Sequence, residues 1–279
     1  MITALVASIP SPSSGSLHVG PLKLNAYGLM IALGVLAAVR ITGRRAVARG
    51  AGTPDDVAAI AMWGVPAGVI GGRAYHVVTS LDSFRGHWVE TLYVWHGGLG
   101  IWGGIALGTL AGMWKAKRLG LDVITLADCA APGIAVAQAI GRWGNWWNQE
   151  LFGRPTTLPW GLSVSDTTTR TAGFALGTTF HPTFLYESLA CVTLAWLLVR
   201  AEKRPGHRRG LTFVLYVTGY TVFRFFIEGL RIDPAHHVGG MRLNQWVSLG
   251  VFSVAVTVLL VSRRRSPVAP GGSTVDLHE

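Results

Sequence analysis

Apolar runs about as long as the ~20 residues a helix needs to cross bilayer hydrocarbon recur along this chain. Seven of them, near 24–43, 57–77, 97–114, 123–143, 181–199, 211–230 and 245–262, leave little sequence for any other kind of core. Glycine and proline within them do not argue against helix, because bilayer helices tolerate both. The composition agrees: 50% of residues are hydrophobic and only 14% charged, whereas a soluble domain carries about 25% charged residues. The chain reads as an all-α polytopic membrane protein, residues 1–279 forming one membrane domain with seven transmembrane helices. The opening "MITALVASIPSPSSGS" lacks the basic region and long apolar core of a signal peptide, and residues 266–279 read as a disordered polar tail.

The formal net charge of +10 invites a nucleic-acid reading, but the basic residues are placed against it. Arg40, Arg44, Arg45 and Arg49 follow the first run; Lys115, Lys117 and Arg118 the third; Arg200, Lys203, Arg204, Arg208 and Arg209 the fifth; Arg263, Arg264 and Arg265 the seventh. All fall on one side of the membrane, and the opposite loops hold only scattered cations such as Arg85, Arg154 and Arg170. The positive-inside rule then puts the N-terminus outside and the C-terminus in the cytoplasm. No nucleic acid is expected as a partner; membrane lipids are.

Cys129 and Cys191 lie inside apolar runs, so neither a disulfide framework nor a metal cluster is supported, and no metal or cofactor is expected. Gly64 and Gly68 in the second run, with Gly104, Gly108 and Gly112 in the third, recur at four-residue spacing. Such spacing lets helices approach closely in lipid.

Polar residues concentrate at the outer ends of the runs. Asn25 and Tyr27, His96 and Trp102, His181, Tyr186 and Glu187, and Asn244 and Gln245 open runs that start outside. Arg73, Tyr75 and His76, then Arg142 and Asn145, then Arg224, Glu228 and Arg231 close runs that end there. Asp128, at an inner start, is the exception. Ionisable groups in a bilayer are costly unless paired or lining a cavity, which makes them functional candidates. Arg224, Glu228 and Arg231 share one helical stripe, so the pair nearest the membrane neutralises itself and Arg231 stays free. Arg142 shares a face with Asn145 in the string "GRWGNWWNQELFG", with Asn148 and Glu150 just beyond. Arginines without an excess of carboxylates suit an anion, and the planar guanidinium fork suits phosphate. In the outer leaflet the abundant phosphate belongs to lipid headgroups. The alternative for Arg224 and Glu228 is a purely structural ion pair.

"GRWGNWWNQELFG", "HPTFLYES", "RFFIEGLR", "LNQW", "GGRAYH" and "HGGLGIWGG" together resemble the prolipoprotein diacylglyceryl transferase family over roughly residues 25–250. The resemblance implies transfer of the diacylglyceryl group of phosphatidylglycerol to the lipobox cysteine of preprolipoproteins, in the bacterial plasma (inner) membrane, with the active site facing the outer leaflet. By motif, Arg142 corresponds to the family's phosphatidylglycerol-binding arginine, and Asn145, Glu150 and Gly153 complete that substrate-binding signature. Tyr27, Glu187, Arg224 and Glu228 fall at catalytic-region positions, Asp128 at the aspartate before the fourth span, and 149–180 at a small extracytoplasmic head. Two positions depart from the pattern: Trp102 and Asn25 stand where the family often has histidines.

The chemistry asks for charge in two places. The cysteine must become a thiolate to attack the glycerol carbon that bears the phosphate, and the departing glycerol phosphate gains negative charge that fixed arginines stabilise. With Trp102 at the family's histidine position, His96 is a candidate base, its ordinary pKa of about 6.5 being suited to the task; the alternative is an interfacial histidine making loop hydrogen bonds, with a glutamate such as Glu150 or Glu187, an arginine-bound water or the released phosphate taking the proton. The competing class is a transporter or channel for an anionic solute, but such folds show repeated halves and midplane polar groups, and no repeat is visible here.

Overall fold

The computed structural model describes residues 8–19, 22–94 and 97–264. The long helices are α1 (Ala26–Ala48), α2 (Pro54–Thr79), α3 (Ile101–Arg118), α4 (Val123–Asn148), α6 (Thr183–Glu202), α7 (Leu211–Leu230) and α8 (Leu243–Arg264), with a short α5 (Asp166–Thr171) between α4 and α6. Six of these are long and apolar enough to cross a membrane. The exception is α3, whose 18 residues end in Lys115, Lys117 and Arg118, so its apolar stretch is short.

Local chemistry starts the helices where they start. Asn25 caps α1 by accepting from the Gly28 N–H at 3.2 Å. Thr53 and Asp56 form a reciprocal capping box on α2, with Pro54 at its first turn, where a missing N–H costs nothing.

Helix α4 is the centre, packed against α1, α6 and α7, while α8 lies against α7 and the α2–α3 pair leans on α1. Small residues set these distances. A Cβ on Gly34 would lie 3.0 Å from the Ala137 carbonyl, and one on Gly133 3.0 Å from the Ala38 carbonyl, so α1 and α4 touch backbone to backbone. The glycines of α2 and α3 interlock as their spacing predicts: a Cβ on Gly64 would meet the Gly108 carbonyl at 3.3 Å, and one on Gly104 the Gly68 carbonyl at 3.3 Å. Without a hydrophobic drive between helices in lipid, this close van der Waals fit holds the pair together. Leu36, Ile70, Trp196, Phe226 and Val254 instead point outward, as a lipid-facing surface requires.

Three two-stranded pieces decorate the bundle. β1 (Ile9–Pro10) runs parallel to β4 (Leu162–Ser163), pairing Ile9 with Leu162. β2 (Ser16–Val19) and β3 (Leu22–Asn25) are antiparallel, Ser16 opposite Asn25. β5 (His237–Val238) and β6 (Met241–Arg242) form a hairpin just before α8. Between α4 and α6, Phe152, Leu162, Phe180 and Phe184 make a separate small core, with the Phe152 and Phe180 rings 4.6 Å apart. The expected tail, 266–279, lies outside the described residues.

Candidate active site

Helix α4 continues past 143 to Asn148, so the whole "GRWGNWWN" string is helical. Arg142 and Asn145 therefore share a face, and Arg142 Nη1 donates to Asn145 Oδ1 at 3.3 Å. Gly144 makes room for the Tyr27 ring of α1: a Cβ there would sit 2.6 Å from Tyr27 Cδ2. Tyr27 of α1 and Tyr220 of α7 both lie beside Arg142. The tryptophans brace this face against α6. Trp143 lies edge-on to Phe184 at 5.4 Å, Trp146 stacks on it at 6.1 Å, and Trp143 Nε1 donates to Ser188 Oγ at 3.2 Å.

The chain leaves α4 through two left-handed residues that are not glycine, Gln149 (φ 53°) and Leu151 (φ 59°). Each costs about 1–2 kcal/mol, offset by specific bonds. Gln149 Nε2 donates to the Pro12 carbonyl at 2.6 Å, and its Oε1 accepts from the Ser165 N–H at 2.8 Å and Thr168 Oγ1 at 3.0 Å. Thr183 Oγ1 donates to the Leu151 carbonyl at 2.5 Å. The double turn swings Glu150 back over the helix end, where its Oε1 accepts from Asn145 Nδ2 at 2.8 Å. Gly153 then bridges to the Arg231 backbone. A side chain there would meet His181 Cβ at 2.8 Å, so this glycine docks the 149–180 segment onto the end of α7.

Glu187 of α6 joins the two arginines. Its Oε2 pairs with Arg142 Nε, and its Oε1 accepts from Arg224 Nη1 at 2.5 Å. Arg224 Nη2 donates to Glu228 Oε2, one turn along α7, at 2.6 Å. Glu228 also accepts from Arg242 Nε at 2.9 Å and Asn244 Nδ2 at 3.1 Å. Arg231 and Arg242 then share Asp233, Arg231 bidentately at 2.7 and 2.9 Å and Arg242 at 2.9 Å. Four guanidinium groups and three carboxylates thus form one chain of ion pairs across α4, α6, α7 and the start of α8. Arg142, Asn145, Thr183, Glu187 and Arg231 pack closely around one small gap.

Arg231 corrects one expectation: it is not free. Asp233, two residues on and outside the apolar runs, takes it bidentately. Burial opposes the charged Asp233 carboxylate, but the Arg231 hydrogen bond and the charges of Arg231 and Arg242 hold its pKa below the ordinary value.

The sequence reading also missed Arg242, Asp233, Asn244 as a partner of Glu228, and Tyr220. A signal for Arg242 was present. "HVGGMR" places two glycines between short β segments, and Gly239 and Gly240 have φ of 56° and 78°, the conformation a two-residue hairpin turn demands. That hairpin aims Arg242 at Glu228.

Other candidates separate from this cluster. His96 lies outside the described residues. Trp102 is exposed in the first turn of α3. Arg73 is buried and donates to the carbonyls of Glu90, Thr91 (2.8 Å), Gly97 (2.7 Å) and Gly98 (3.2 Å), ordering the α2–α3 connection. Asp128 sits at the other end of the bundle, where it accepts from the Gly210 and Phe213 N–H groups and caps α7.

What this geometry can do is hold an anion. Two guanidinium groups from different helices converge on one carboxylate, largely buried and held by packing and by further ion pairs. Preorganised donors in such surroundings stabilise charge without reorganising.

Fold and site together define a multi-pass α-helical membrane protein with a buried arginine–carboxylate chain at one end of its bundle. A family model described as prolipoprotein diacylglyceryl transferase matches residues 15–261. The phosphatidylglycerol–prolipoprotein diacylglyceryl transferase 2 of Streptomyces coelicolor is 54% identical over 265 residues, covering 94% of this chain and 83% of the relative. The phosphatidylglycerol–prolipoprotein diacylglyceryl transferases of Cutibacterium acnes and Streptomyces griseus are 49% and 47% identical, covering 98% and 94% of this chain and 92% and 80% of the relatives. The chain belongs to the prolipoprotein diacylglyceryl transferase family. The transporter or channel alternative finds no support among these relatives.

Proposed function

We propose that this chain is a phosphatidylglycerol–prolipoprotein diacylglyceryl transferase, acting on the lipobox cysteine of preprolipoproteins. The observation that carries the mechanism is the convergence of Arg142 and Arg224 on Glu187. In the donor complex the lipid phosphate takes a share of the Arg142 fork, with Asn145 and Glu150 holding that arginine in place and Gly153 docking the segment above it. The cysteine thiolate attacks the glycerol carbon bearing the phosphate; the S–C bond forms, the C–O bond breaks, and glycerol phosphate leaves with the electron pair. Arg224, steadied by Glu228, meets the growing charge, and Tyr27 closes the arginine from the α1 side. The thiol proton goes to His96, which in sequence directly precedes the glycines whose carbonyls Arg73 holds.

Topology completes the proposal: seven spans, N-terminus outside, C-terminus cytoplasmic, the 149–180 segment an extracytoplasmic head, and the site facing the outer leaflet of a bacterial plasma membrane. The 18 residues of α3 fall within the ~17–25 that span hydrocarbon, and the cations at its end suit the cytoplasmic face. Cysteines introduced at Thr168 and Gly206 are expected to label from opposite sides, Thr168 from outside; labelling of both from one side contradicts the topology.

Incubation of the purified protein with headgroup- and acyl-labelled phosphatidylglycerol and a lipobox peptide tests the function. Acyl label on the peptide cysteine with release of labelled glycerol phosphate is the expected result. Lipid turnover without a peptide thioether points to a different phospholipid-using transferase.

A further inference from the structure

At the end of the bundle opposite the arginine chain, the 203–210 linker overhangs a cavity of about 750 Å³ between α4, α7 and α8. This volume is in the range of ligand sites. Ile124, Val214, Val258 and Leu259 wall it with hydrocarbon, and none of its lining residues is acidic. Arg204, Arg208 and Arg209 contribute to its rim. The commitments of Arg204 and Arg209 are light. Arg204 is exposed and has no side-chain partner among the described residues. Arg209 pairs with Asp122, but both are well exposed, at 58% and 42%, and such pairs contribute little. Arg208 donates to the Ser262 carbonyl, tying the rim to α8. The nearby carboxylates are engaged elsewhere, Asp128 on the amides of Gly210 and Phe213, and Glu202 on Arg45, Arg49 and Thr212. In sequence, three further arginines, 263–265, directly follow Ser262.

Apolar walls beneath a cationic rim, opening at the edge of the membrane, complement an amphiphile with an anionic head. We propose that this cavity binds an anionic phospholipid of the adjacent leaflet, an acyl chain lying along α7 and α8 and the phosphate meeting Arg204 and Arg209. The site is distinct from the donor site, because Arg142 lies at the other end of α4. Only the name of the leaflet, cytoplasmic, rests on the proposed topology. The lipid fills the gap beside α7, the helix that carries Arg224 and Glu228.

The test uses the full chain in nanodiscs with phosphatidylglycerol carrying a diazirine in its acyl chain, adducts being mapped by mass spectrometry. Adducts on peptides containing Ile124, Val214 and Val258 are expected, several-fold stronger than with the matching phosphatidylcholine probe. Arg204→Gln with Arg209→Gln should weaken them by roughly five-fold per arginine, from the usual strength of basic residues at anionic membrane surfaces. Ala127→Phe, which fills the cavity without changing charge, should remove them. Adducts near Arg142 in the same samples should stay constant, and the inner adducts are read whether or not transfer to a lipobox peptide occurs. Four results overturn the proposal: equal labelling by the two probes, labelling indifferent to these variants, loss of adducts to excess soluble glycerol phosphate, or carbodiimide cross-links from Lys203 to Asp276 or Glu279 in place of lipid adducts. The last would assign the cavity to the chain's own tail.

Discussion

Asp128 and Glu228 are both sealed off, 1% and 0% exposed, yet their partners differ in kind. Asp128 accepts from two backbone amides, Gly210 at 2.6 Å and Phe213 at 2.9 Å, and so opens α7, with the Arg49 guanidinium no nearer than 4.0 Å. Its neighbours are equally committed to architecture. Glu202 ties Arg45 of α1 at 2.5 Å, Arg49 just past its end at 2.9 Å and Thr212 of α7 at 2.7 Å, and Arg45 Nε donates to the Cys129 carbonyl at 3.0 Å. Glu228 accepts only from side chains among the described residues: Arg224, Arg242 and Asn244, with Arg231 at 3.6 Å. A backbone amide has one fixed direction, so the Asp128 end works as a rivet. A guanidinium fork can exchange one oxyanion for another, and the phosphate binding proposed at the Glu228 end requires that exchange. Buried charge alone does not mark a catalytic site, and neither does a guanidinium partner, since Glu202 is paired with Arg45 and Arg49 as well.

The largest expected effect lies at the rivet. Asp128→Ala leaves two buried amides at the start of α7 without acceptors, at about 1–3 kcal/mol each. The yield of folded protein and its melting temperature should drop sharply, while activity per folded molecule changes little. A variant as stable as wild type would break the distinction between the ends. Next is Arg224→Lys. An ammonium cannot reach Glu187 and Glu228 with a planar fork, and loss of one preorganised donor costs roughly 100-fold or more in rate, with melting nearly unchanged. Full activity in the lysine variant would reduce Arg224 and Glu228 to a structural pair.

These two ends were not equally legible in the sequence. The helices were, because hydrocarbon demands long apolar runs, and so was the α2–α3 contact, since four-residue glycine spacing has one main use in lipid. Arg142, Asn145, Glu187, Arg224 and Glu228 were legible as a group, being charges and amides clustered at one depth. Arg242 and Asp233 were not, because they belong to a polar loop where charge is unremarkable; the fold brings them under α7 through a glycine hairpin. The position of Glu150 depended on left-handed Gln149 and Leu151, which carry no glycine to announce the turn. Asp128 looked exceptional by depth, and its role as a cap required knowing that α7 begins beside it.

The hairpin offers a subtler test. Gly240→Val places a β-branched residue at positive φ, costing about 1–2 kcal/mol, and should displace Arg242 from Glu228. An activity loss of roughly ten-fold, by the same scale of energy, is expected with the Asp128 end intact; unchanged turnover would show that Arg242 is not needed to hold Glu228. The smallest effect concerns Asp233. Its folded pKa lies below the ordinary 3.8, so the stability it adds is present above that value and is lost as pH falls through the folded pKa. Thermal melts below pH 4 should therefore fall more steeply for wild type than for Asp233→Asn. Parallel curves would mean that Asp233 adds nothing to the fold.

The most direct test sets one arginine from each end side by side: diacylglyceryl transfer to a lipobox peptide by purified Arg142→Ala and Arg45→Ala, normalised to folded protein. Arg142→Ala should lose at least about 100-fold in turnover per folded molecule while still folding in the membrane, and Arg45→Ala should keep turnover per folded molecule within a few-fold of wild type. Near-wild-type turnover in Arg142→Ala would contradict the assignment of the phosphate to the arginine chain.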